Sequence, residues 1–334
     1  MAHWSFSMPA APEGRGGNRD NKSFTNKRNK QFQERGIHMS KKIVFQGAAT
    51  ALITPTNANG VDYEAYGKLI DWQIEQGIDA LVIAATTGEG STLSDAEHKN
   101  VIAFAAERIN KRVPMICGTG SNDTAYSIEL TKYACAHGAD AVLVVTPYYN
   151  KTTQGGLVAS FTATAEASEA PVILYNVPSR TGVNILPETY AKLAEHENIV
   201  ACKEANGDIT SVADTARLCG DNLTIYSGND DQVVPIMSLG GKGVISVLAN
   251  PCPAETSLMC HKWLDGDVKG SRELQLKYLP FIHALFCEVN PIPVKAAMAA
   301  MGYCEDYLRL PLVPMTDAKR ENMLGIMRGL GLIG

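Results

Sequence analysis

No stretch of the 334-residue sequence is apolar over the roughly 18 residues that a membrane-spanning helix needs. Basic residues are not in excess, since 30 Lys and Arg stand against 35 Asp and Glu, and no stripe of Lys and Arg marks a nucleic-acid surface. We therefore expect a cytoplasmic protein that binds neither a membrane nor a nucleic acid. Small acidic metabolites remain possible ligands, because a local basic site can lie in an acidic protein.

Cysteine pairing motifs are also missing. None of the eight cysteines forms a Cys-x-x-Cys pair, and several, such as Cys202, lie within apolar runs. This usage argues against a disulfide scaffold and against a zinc site, and it predicts buried, reduced thiols.

Several motifs of common enzyme classes are incomplete or absent. Gly118-Thr-Gly120 lacks the third glycine of a dinucleotide fingerprint, and Gly240-Gly-Lys-Gly243 lacks the spacing of a phosphate loop. No Gly-x-Ser-x-Gly nucleophile elbow occurs. His98 lies one turn inside a predicted helix, where we expect it to be partly exposed.

Residues 1–38 differ from the remainder in composition. They hold seven Lys and Arg against three Asp and Glu and show no apolar periodicity, so the rest of the chain carries 23 basic and 32 acidic residues. A signal peptide would need a continuous apolar core, which this segment lacks. We predict a disordered extension, or a segment derived from a vector or from upstream sequence.

From residue 46 onward, short apolar runs rich in Val, Ile and Ala alternate with amphipathic segments of helical length. Near-continuously apolar strands separated by helices predict a parallel sheet covered by helices. Eight such units favour an α/β fold of the (β/α)8 TIM-barrel type, which we place at residues 39–265. The helical remainder, residues 266–334, is too long for one barrel helix, and we predict a C-terminal helical extension.

The active site of such a barrel lies at the carboxyl ends of its strands. The residues there are mostly hydroxyls, phenols and glycines, without the clustered His and carboxylates of a metal site. Lys203 ends one apolar run and Tyr175 ends the preceding one, so the two side chains should be neighbours. A desolvated lysine can attack a ketone and form a Schiff base. The alternative is an amine that reaches solvent or pairs with Glu204.

Other strand ends supply groups that could assist. Tyr175 could move protons, with Thr86 and Tyr149 as relay groups, although a Thr or Tyr at such a position, taken alone, is more often structural. Thr86-Thr-Gly-Glu89 enters a predicted helix, whose backbone N–H groups could hold a carboxylate. Arg180 could bind a substrate carboxylate through its planar guanidinium, or it could brace its loop by a salt bridge.

Three sequence motifs carry a resemblance to a known family. Ala85-Thr-Thr-Gly-Glu89, Tyr175-Asn-Val-Pro-Ser-Arg-Thr-Gly182 and Lys203-Glu-Ala205 resemble signatures of the dihydrodipicolinate synthase/N-acetylneuraminate lyase superfamily. The similarity extends from about Val44 to the C-terminus and includes Asn290-Pro-Ile-Pro-Val-Lys295. Arg180 and the Tyr148-Tyr149 pair are typical of the synthase branch. The resemblance therefore implies a lyase that condenses pyruvate with L-aspartate 4-semialdehyde, toward diaminopimelate and lysine.

The resemblance also implies residue roles. Lys203 would form the imine with pyruvate, and no other cofactor or metal would be needed. Tyr175 would transfer protons through Thr86 to Tyr149, which in the family reaches in from a neighbouring subunit of a homotetramer built as a dimer of dimers. The pyruvate contacts would be Thr87 and the main chain of Ile245, and Arg180 would bind the carboxylate of the semialdehyde.

Two departures from the family pattern concern feedback inhibition by lysine. Tyr126 stands where lysine-inhibited members place a glutamate, and Asp95 stands where they place a histidine, whereas Asn122, His98 and Tyr148 match them. We therefore expect weak or absent inhibition.

Two other functions stay open from the sequence. Another aldolase of the superfamily, acting on a sugar acid or hydroxy-keto acid, would share Lys203 and Tyr175 but would not need Arg180. A non-catalytic barrel that binds metabolites would need neither Lys203 nor Tyr175.

Overall fold

The structure, a computed structural model, describes residues 41–334. The segment 1–38, with its predicted disorder, lies outside the described residues. The alternation seen in the sequence corresponds to a closed barrel of eight parallel strands, which confirms the predicted fold class. The strands are β1 Gly47–Ala51, β2 Ala80–Ile83, β3 Met115–Gly118, β4 Ala141–Val145, β5 Val172–Asn176, β6 Ile199–Glu204, β7 Thr224–Ser227 and β8 Gly243–Ser246.

The strands follow one another around the barrel in chain order, and β8 closes the barrel by pairing with β1. Successive side chains of a strand face opposite sides. Inward residues such as Ala49, Val82 and Ile173 form the barrel interior, and their outward neighbours pack under the helices. This double burial explains why the strands are apolar throughout rather than alternating.

Eight helices cover the barrel, and most of them begin at a side-chain cap. They are α1 Tyr63–Glu75, α2 Asp95–Ile109, α3 Thr124–Ala136, α4 Gln154–Glu166, α5 Pro187–Leu193, α6 Ile209–Cys219, α7 Val233–Ser238 and α8 Pro253–Leu264. The predicted capping box is confirmed at α2, where Ser94 and Glu97 exchange side-chain-to-backbone hydrogen bonds. Asp62, Asp123 and Asp208 accept from the first turns of α1, α3 and α6. These caps satisfy N–H groups that a helix start leaves unpaired.

Three further helices form the C-terminal part of the chain: α9 Val268–Leu285, α10 Ile292–Ala300 and α11 Asp317–Gly329. Helix α9 packs against α8 and also contacts α11. The helical content therefore matches the prediction, whereas the division at residue 265 stays a prediction. Within residues 41–334, no helix has the length and apolarity to cross a membrane.

An aromatic pair closes the amino end of the barrel. The rings of Phe45 and Tyr226 stack with centroids 4.2 Å apart, and the Tyr226 hydroxyl donates to the Phe45 carbonyl at 2.7 Å. Both side chains belong to the barrel interior. Because this end is filled, the accessible end is the one where the strands terminate.

Candidate active site

Lys203 and Tyr175 lie side by side at the carboxyl ends of two paired strands. The register of β5 and β6 places Tyr175 opposite Lys203, as predicted. Tyr175 and Ala201 are part of the interior cluster, so Lys203, two residues after Ala201, also faces inward. The Lys203 side chain is almost fully buried, with its Nζ 4.4 Å from the centre of the Tyr175 ring.

Glu204 is not the partner of Lys203, although the two are adjacent in the sequence. Consecutive strand residues face opposite sides, so Glu204 points outward under the helices. There it accepts hydrogen bonds from the Tyr190 hydroxyl at 2.8 Å, the Asn176 side chain at 3.0 Å and the Asn206 N–H at 2.9 Å. Burial raises the pKa of Glu204 to about 7, against the opposing effect of these hydrogen bonds. The alternative pairing of Lys203 with Glu204 is therefore wrong.

Gly228 leaves room beside the Lys203 side chain. A Cβ atom at this position would lie 3.1 Å from Lys203 Cε and 2.8 Å from the Cβ of Ala205. Both distances are closer than side chains ordinarily approach. Sequence reasoning assigned no role to Gly228, although its place after β7 was visible.

Asp230 is a second residue that sequence reasoning left without a role. Its buried carboxylate accepts from the Ser246 hydroxyl and from the N–H groups of Val247 at 2.9 Å and Leu248 at 3.0 Å. Burial raises the pKa of Asp230, and these hydrogen bonds and the charge of Lys203 oppose the rise. The carboxylate thereby fixes the backbone that directly follows Ile245, a predicted substrate contact.

The segment Ala84–Glu89 forms a tight, strained turn after β2. Ala84 and Glu89 have φ angles of 53° and 55°, in the left-handed region that non-glycine residues rarely adopt. Gly90 begins a short 3-10 helix, and α2 starts only at Asp95. Thr86–Glu89 therefore leads into the 3-10 helix, with Glu89 at its N-cap position, and α2 follows as a separate element. That its backbone N–H groups hold a carboxylate stays a prediction. Backbone strain of this kind concentrates at functional sites.

The C-terminal helices reach back to this turn. Asn290 donates through Nδ2 to the Thr87 hydroxyl oxygen at 3.0 Å, and Lys295 donates to Glu89 Oε1 at 2.6 Å. Arg180 donates through Nη2 to the Asn290 carbonyl at 3.0 Å. In the part of the chain that is described, Arg180 makes no ion pair, and it contacts the C-terminal helices through this hydrogen bond.

A cavity of about 350 Å³ opens at this end of the barrel. Its lining brings together Thr86 from the loop after β2, Tyr148 from the loop after β4, and Tyr175 and Arg180 from the end of β5 and the loop after it. A more open depression of about 420 Å³ lies between α1 and α2 at Asp71, Arg108 and Arg112, and it contains none of the predicted site residues. We therefore place the site at the barrel mouth. Across residues 41–334, no group of three or more His, Cys, Asp or Glu is arranged as a metal site.

Four predicted site residues are not among those that line the cavity: Lys203, Thr87, Ile245 and Tyr149. Ile245, on β8, is fully buried in the barrel interior. Tyr149 is 92 % exposed, with a φ of 70°, and does not line the cavity. No hydrogen bond among the described residues joins Thr86, Tyr175 and Tyr149, so the relay stays a prediction.

The same cavity extends toward α2 and α3, where His98, Tyr126 and Tyr148 line it. The expectation of a partly exposed His98 is wrong. Its side chain is buried, with Nε2 3.0 Å from the Gly118 carbonyl, because Gly118 at the end of β3 faces this turn of α2. Burial lowers the pKa of His98.

Asp95 lies beside this part of the cavity and is already paired. Its carboxylate accepts from Lys99 Nζ at 2.9 Å and from the Tyr126 hydroxyl at 3.2 Å. The bond from Lys99 is the main cause of a lowered pKa at Asp95.

Comparison with known proteins gives one consistent result. The family model described as "Dihydrodipicolinate synthetase family" matches residues 44–328. A 4-hydroxy-tetrahydrodipicolinate synthase from Acetivibrio thermocellus is 54 % identical over 293 residues, which cover 88 % of this chain and 100 % of the relative. One from Thermoanaerobacter sp. (strain X514) is 52 % identical, covering 87 % and 98 % respectively.

Solved structures agree with these relatives. A dihydrodipicolinate synthase from Acinetobacter baumannii, described as chloride-inhibited and complexed with pyruvate, superposes with a TM-score of 0.85. It is 44 % identical in sequence, and the match covers 86 % of this chain and 99 % of the other.

Proposed function

The chain belongs to the dihydrodipicolinate synthetase family, whose members are Schiff-base aldolases, and we propose that Lys203 carries this chemistry. The reaction is the condensation of pyruvate with L-aspartate 4-semialdehyde to 4-hydroxy-tetrahydrodipicolinate, in lysine and diaminopimelate biosynthesis. One observation carries the assignment of Lys203: its amine is buried at the barrel mouth, 4.4 Å from the Tyr175 ring and turned away from Glu204.

The covalent step begins when the neutral Nζ of Lys203 attacks the keto carbon of pyruvate. A C–N bond forms, the keto oxygen leaves as water, and the resulting protonated imine draws electrons from the methyl group. Loss of a methyl proton gives an enamine, which attacks the aldehyde carbon of the second substrate; the aldehyde oxygen takes up a proton to become a hydroxyl group, and the imine reforms. The amino group of the second substrate then adds to the imine carbon and the bond from that carbon to Lys203 Nζ breaks, which closes the ring of the product and frees the lysine. Because the imine is itself the electron sink, these steps require no separate cofactor.

Tyr175 is the group placed to move protons during these steps. Its ring lies 4.4 Å from Lys203 Nζ, and the residue lines the cavity. A phenol has an ordinary pKa of about 10 and needs a relay to act near neutrality. We propose Thr86 and Tyr149 as that relay.

Two groups would hold the substrate carboxylates. The strained turn bearing Thr86 and Thr87 would receive the carboxylate of pyruvate, together with the main chain of Ile245 at the end of β8. Arg180, which lines the same cavity, would receive the carboxylate of the semialdehyde. Arg180 is the residue that favours this acceptor over a sugar acid.

Tyr149 is exposed and does not line the cavity of its own chain, and we propose that it completes the site of a second subunit. Its exposed side chain and left-handed backbone hold it on the protein surface. The minimal competent unit would then be a dimer, and two such dimers would form the family's tetramer. We place the enzyme in the cytoplasm, where lysine biosynthesis supplies its substrates.

An assay with pyruvate and L-aspartate semialdehyde tests the proposal. The product is reduced by dihydrodipicolinate reductase, and NADPH oxidation reports turnover. Robust NADPH oxidation supports the proposed acceptor. Absence of turnover, with pyruvate still trapped on Lys203, would retain the aldolase chemistry and contradict the acceptor.

A further inference from the structure

The segment Asn290–Lys295, where α10 begins, contacts the barrel mouth at several points. Its residues are more than 200 positions from the turn after β2, yet Asn290, Thr87, Glu89 and Lys295 are all buried. The proposed function gives no role to this segment. Its contacts nevertheless end on residues that would hold the two substrates.

The side chain of Asn290 sets the direction of the Thr87 hydroxyl. A hydroxyl group has one proton to donate and lone pairs to accept with. Because Asn290 Nδ2 donates to Thr87 Oγ1 at 3.0 Å, that lone pair is occupied and the Thr87 proton is free for another acceptor. A carboxylate of pyruvate at this turn would be such an acceptor.

The main chain of Asn290 serves a different residue. Its carbonyl oxygen accepts from Arg180 Nη2 at 3.0 Å. Among residues 41–334 this is the one hydrogen bond of the guanidinium, which has further N–H groups to donate. The side chain and the main chain of one residue thus contact the proposed pyruvate group and the proposed semialdehyde group separately.

The turn that carries Thr87 is itself fixed from the same segment. Lys295 Nζ, fully buried, donates to Glu89 Oε1 at 2.6 Å and to Thr56 Oγ1 at 2.8 Å. Thr54 donates to the Gly88 carbonyl at 2.7 Å from the other side. A turn held at both sides gives the Asn290–Thr87 hydrogen bond a fixed geometry.

We propose that Asn290 is a positioning residue for pyruvate, which acts through Thr87 by occupying the hydroxyl lone pair and directing the proton to the pyruvate carboxylate. This inference rests on the proposed function. Only the interaction with pyruvate should depend on the side chain of Asn290. Arg180 is bound by the main-chain carbonyl of Asn290, which every variant at this position retains.

Steady-state kinetics of Asn290→Ala, Thr87→Ala and the double variant test the proposal. We expect Asn290→Ala to lower kcat/KM for pyruvate about tenfold, as for a lost hydrogen bond to a charged group, and kcat/KM for the semialdehyde less than twofold. In the Thr87→Ala background, the same change should have no further effect. Val289→Ala, at an exposed neighbouring side chain, is the matched control.

Melting temperatures separate positioning from folding. If Asn290→Ala melts well below the parent, Asn290→Asp is tested in its place. An Asp carboxylate has the same shape as the Asn side chain but can only accept hydrogen bonds, so it would take the Thr87 proton that pyruvate needs. The same loss of kcat/KM for pyruvate is then expected. Equal losses for both substrates, or additive losses in the double variant, would overturn the proposal. Failure of the parent enzyme to trap pyruvate on borohydride reduction would instead overturn the proposed function.

Discussion

Lys203 and Glu204 show how one strand separates two buried ionisable side chains. The lysine faces the barrel interior and the carboxylate faces the helices, where Tyr190 and Asn176 hold it. Burial raises the pKa of Glu204 from an ordinary 4.5 to about 7. The folded protein therefore keeps a proton on Glu204 between these values, whereas the unfolded chain releases it.

This difference predicts a pH-dependent stability. Stability due to Glu204 is fully present below pH 4.5 and is lost as the pH rises to about 7, because the folded state holds more protons in that window. In Glu204→Gln this contribution is absent, so the free energy of unfolding of the variant relative to the parent should rise by about 3 kcal/mol between pH 4 and pH 8. Urea unfolding at both pH values measures it. A relative stability that is the same at both would contradict the account.

The part of the cavity lined by His98 and Tyr126 bears on inhibition by lysine. An ammonium group needs a free carboxylate, but Tyr126 has none and Asp95 is engaged by Lys99 and Tyr126. We predict activity at millimolar lysine close to that without lysine, measured in the coupled assay. Tyr126→Glu should confer sensitivity, with Tyr126→Phe as the control. Strong inhibition of the parent protein would contradict the prediction.

At the scale of secondary-structure elements, an ion pair between Glu89 and Lys295 joins the turn after β2 to helix α10. Glu89 and Lys295 are both fully buried, so removing one partner leaves an unpaired buried charge. Lys295→Met should lower the free energy of unfolding by about 3–5 kcal/mol. Lys68→Met, at the exposed pair with Glu64, should give no measurable change.

The double variant Glu89→Gln with Lys295→Met contains no unpaired charge. If its free energy of unfolding recovers toward that of the parent, the unpaired charge is the cause of the loss. An equally unstable double variant would show that packing around Lys295 is responsible instead.

The contacts of α10 mark the limit of what the sequence could predict at this scale. Periodicity located α2 and its Ser94–Glu97 capping box, because both depend on residues a few positions apart. The pairing of Lys295 with Glu89 spans 206 positions and satisfies no local rule. Glu89 itself looked like an ordinary helix-entry residue, and only its left-handed backbone and burial distinguish it.

At the scale of the whole molecule, the barrel was predictable because its geometry repeats. Eight apolar runs at regular spacing fixed the strand count, and strand ends in a barrel share one face, which placed Tyr175 beside Lys203. The position of Tyr149 did not follow from that rule. Its backbone turns outward after β4, so a single chain leaves it exposed.

A two-chain experiment tests whether Tyr149 acts in a partner subunit. Tyr149→Phe should lower turnover about 100-fold while the imine still forms, as for the loss of a proton-transfer group. When the Tyr149→Phe chain is co-expressed with a Lys203→Ala chain, each mixed dimer would contain one site with both Lys203 and Tyr149. Recovered activity in purified mixed oligomers would confirm the exchange. Activity no higher than that of Tyr149→Phe alone would place the tyrosine in its own site.

The central claim is that Lys203 binds pyruvate covalently, and borohydride reduction tests it most directly. The protein is incubated with pyruvate, reduced, digested and analysed by mass spectrometry, with Lys203→Ala and Lys203→Arg treated alongside. We predict that the parent chain gains the mass of one reduced pyruvate on the peptide containing Lys203 and that both variants gain none. An unmodified parent chain, or the same added mass on another lysine, would contradict the account.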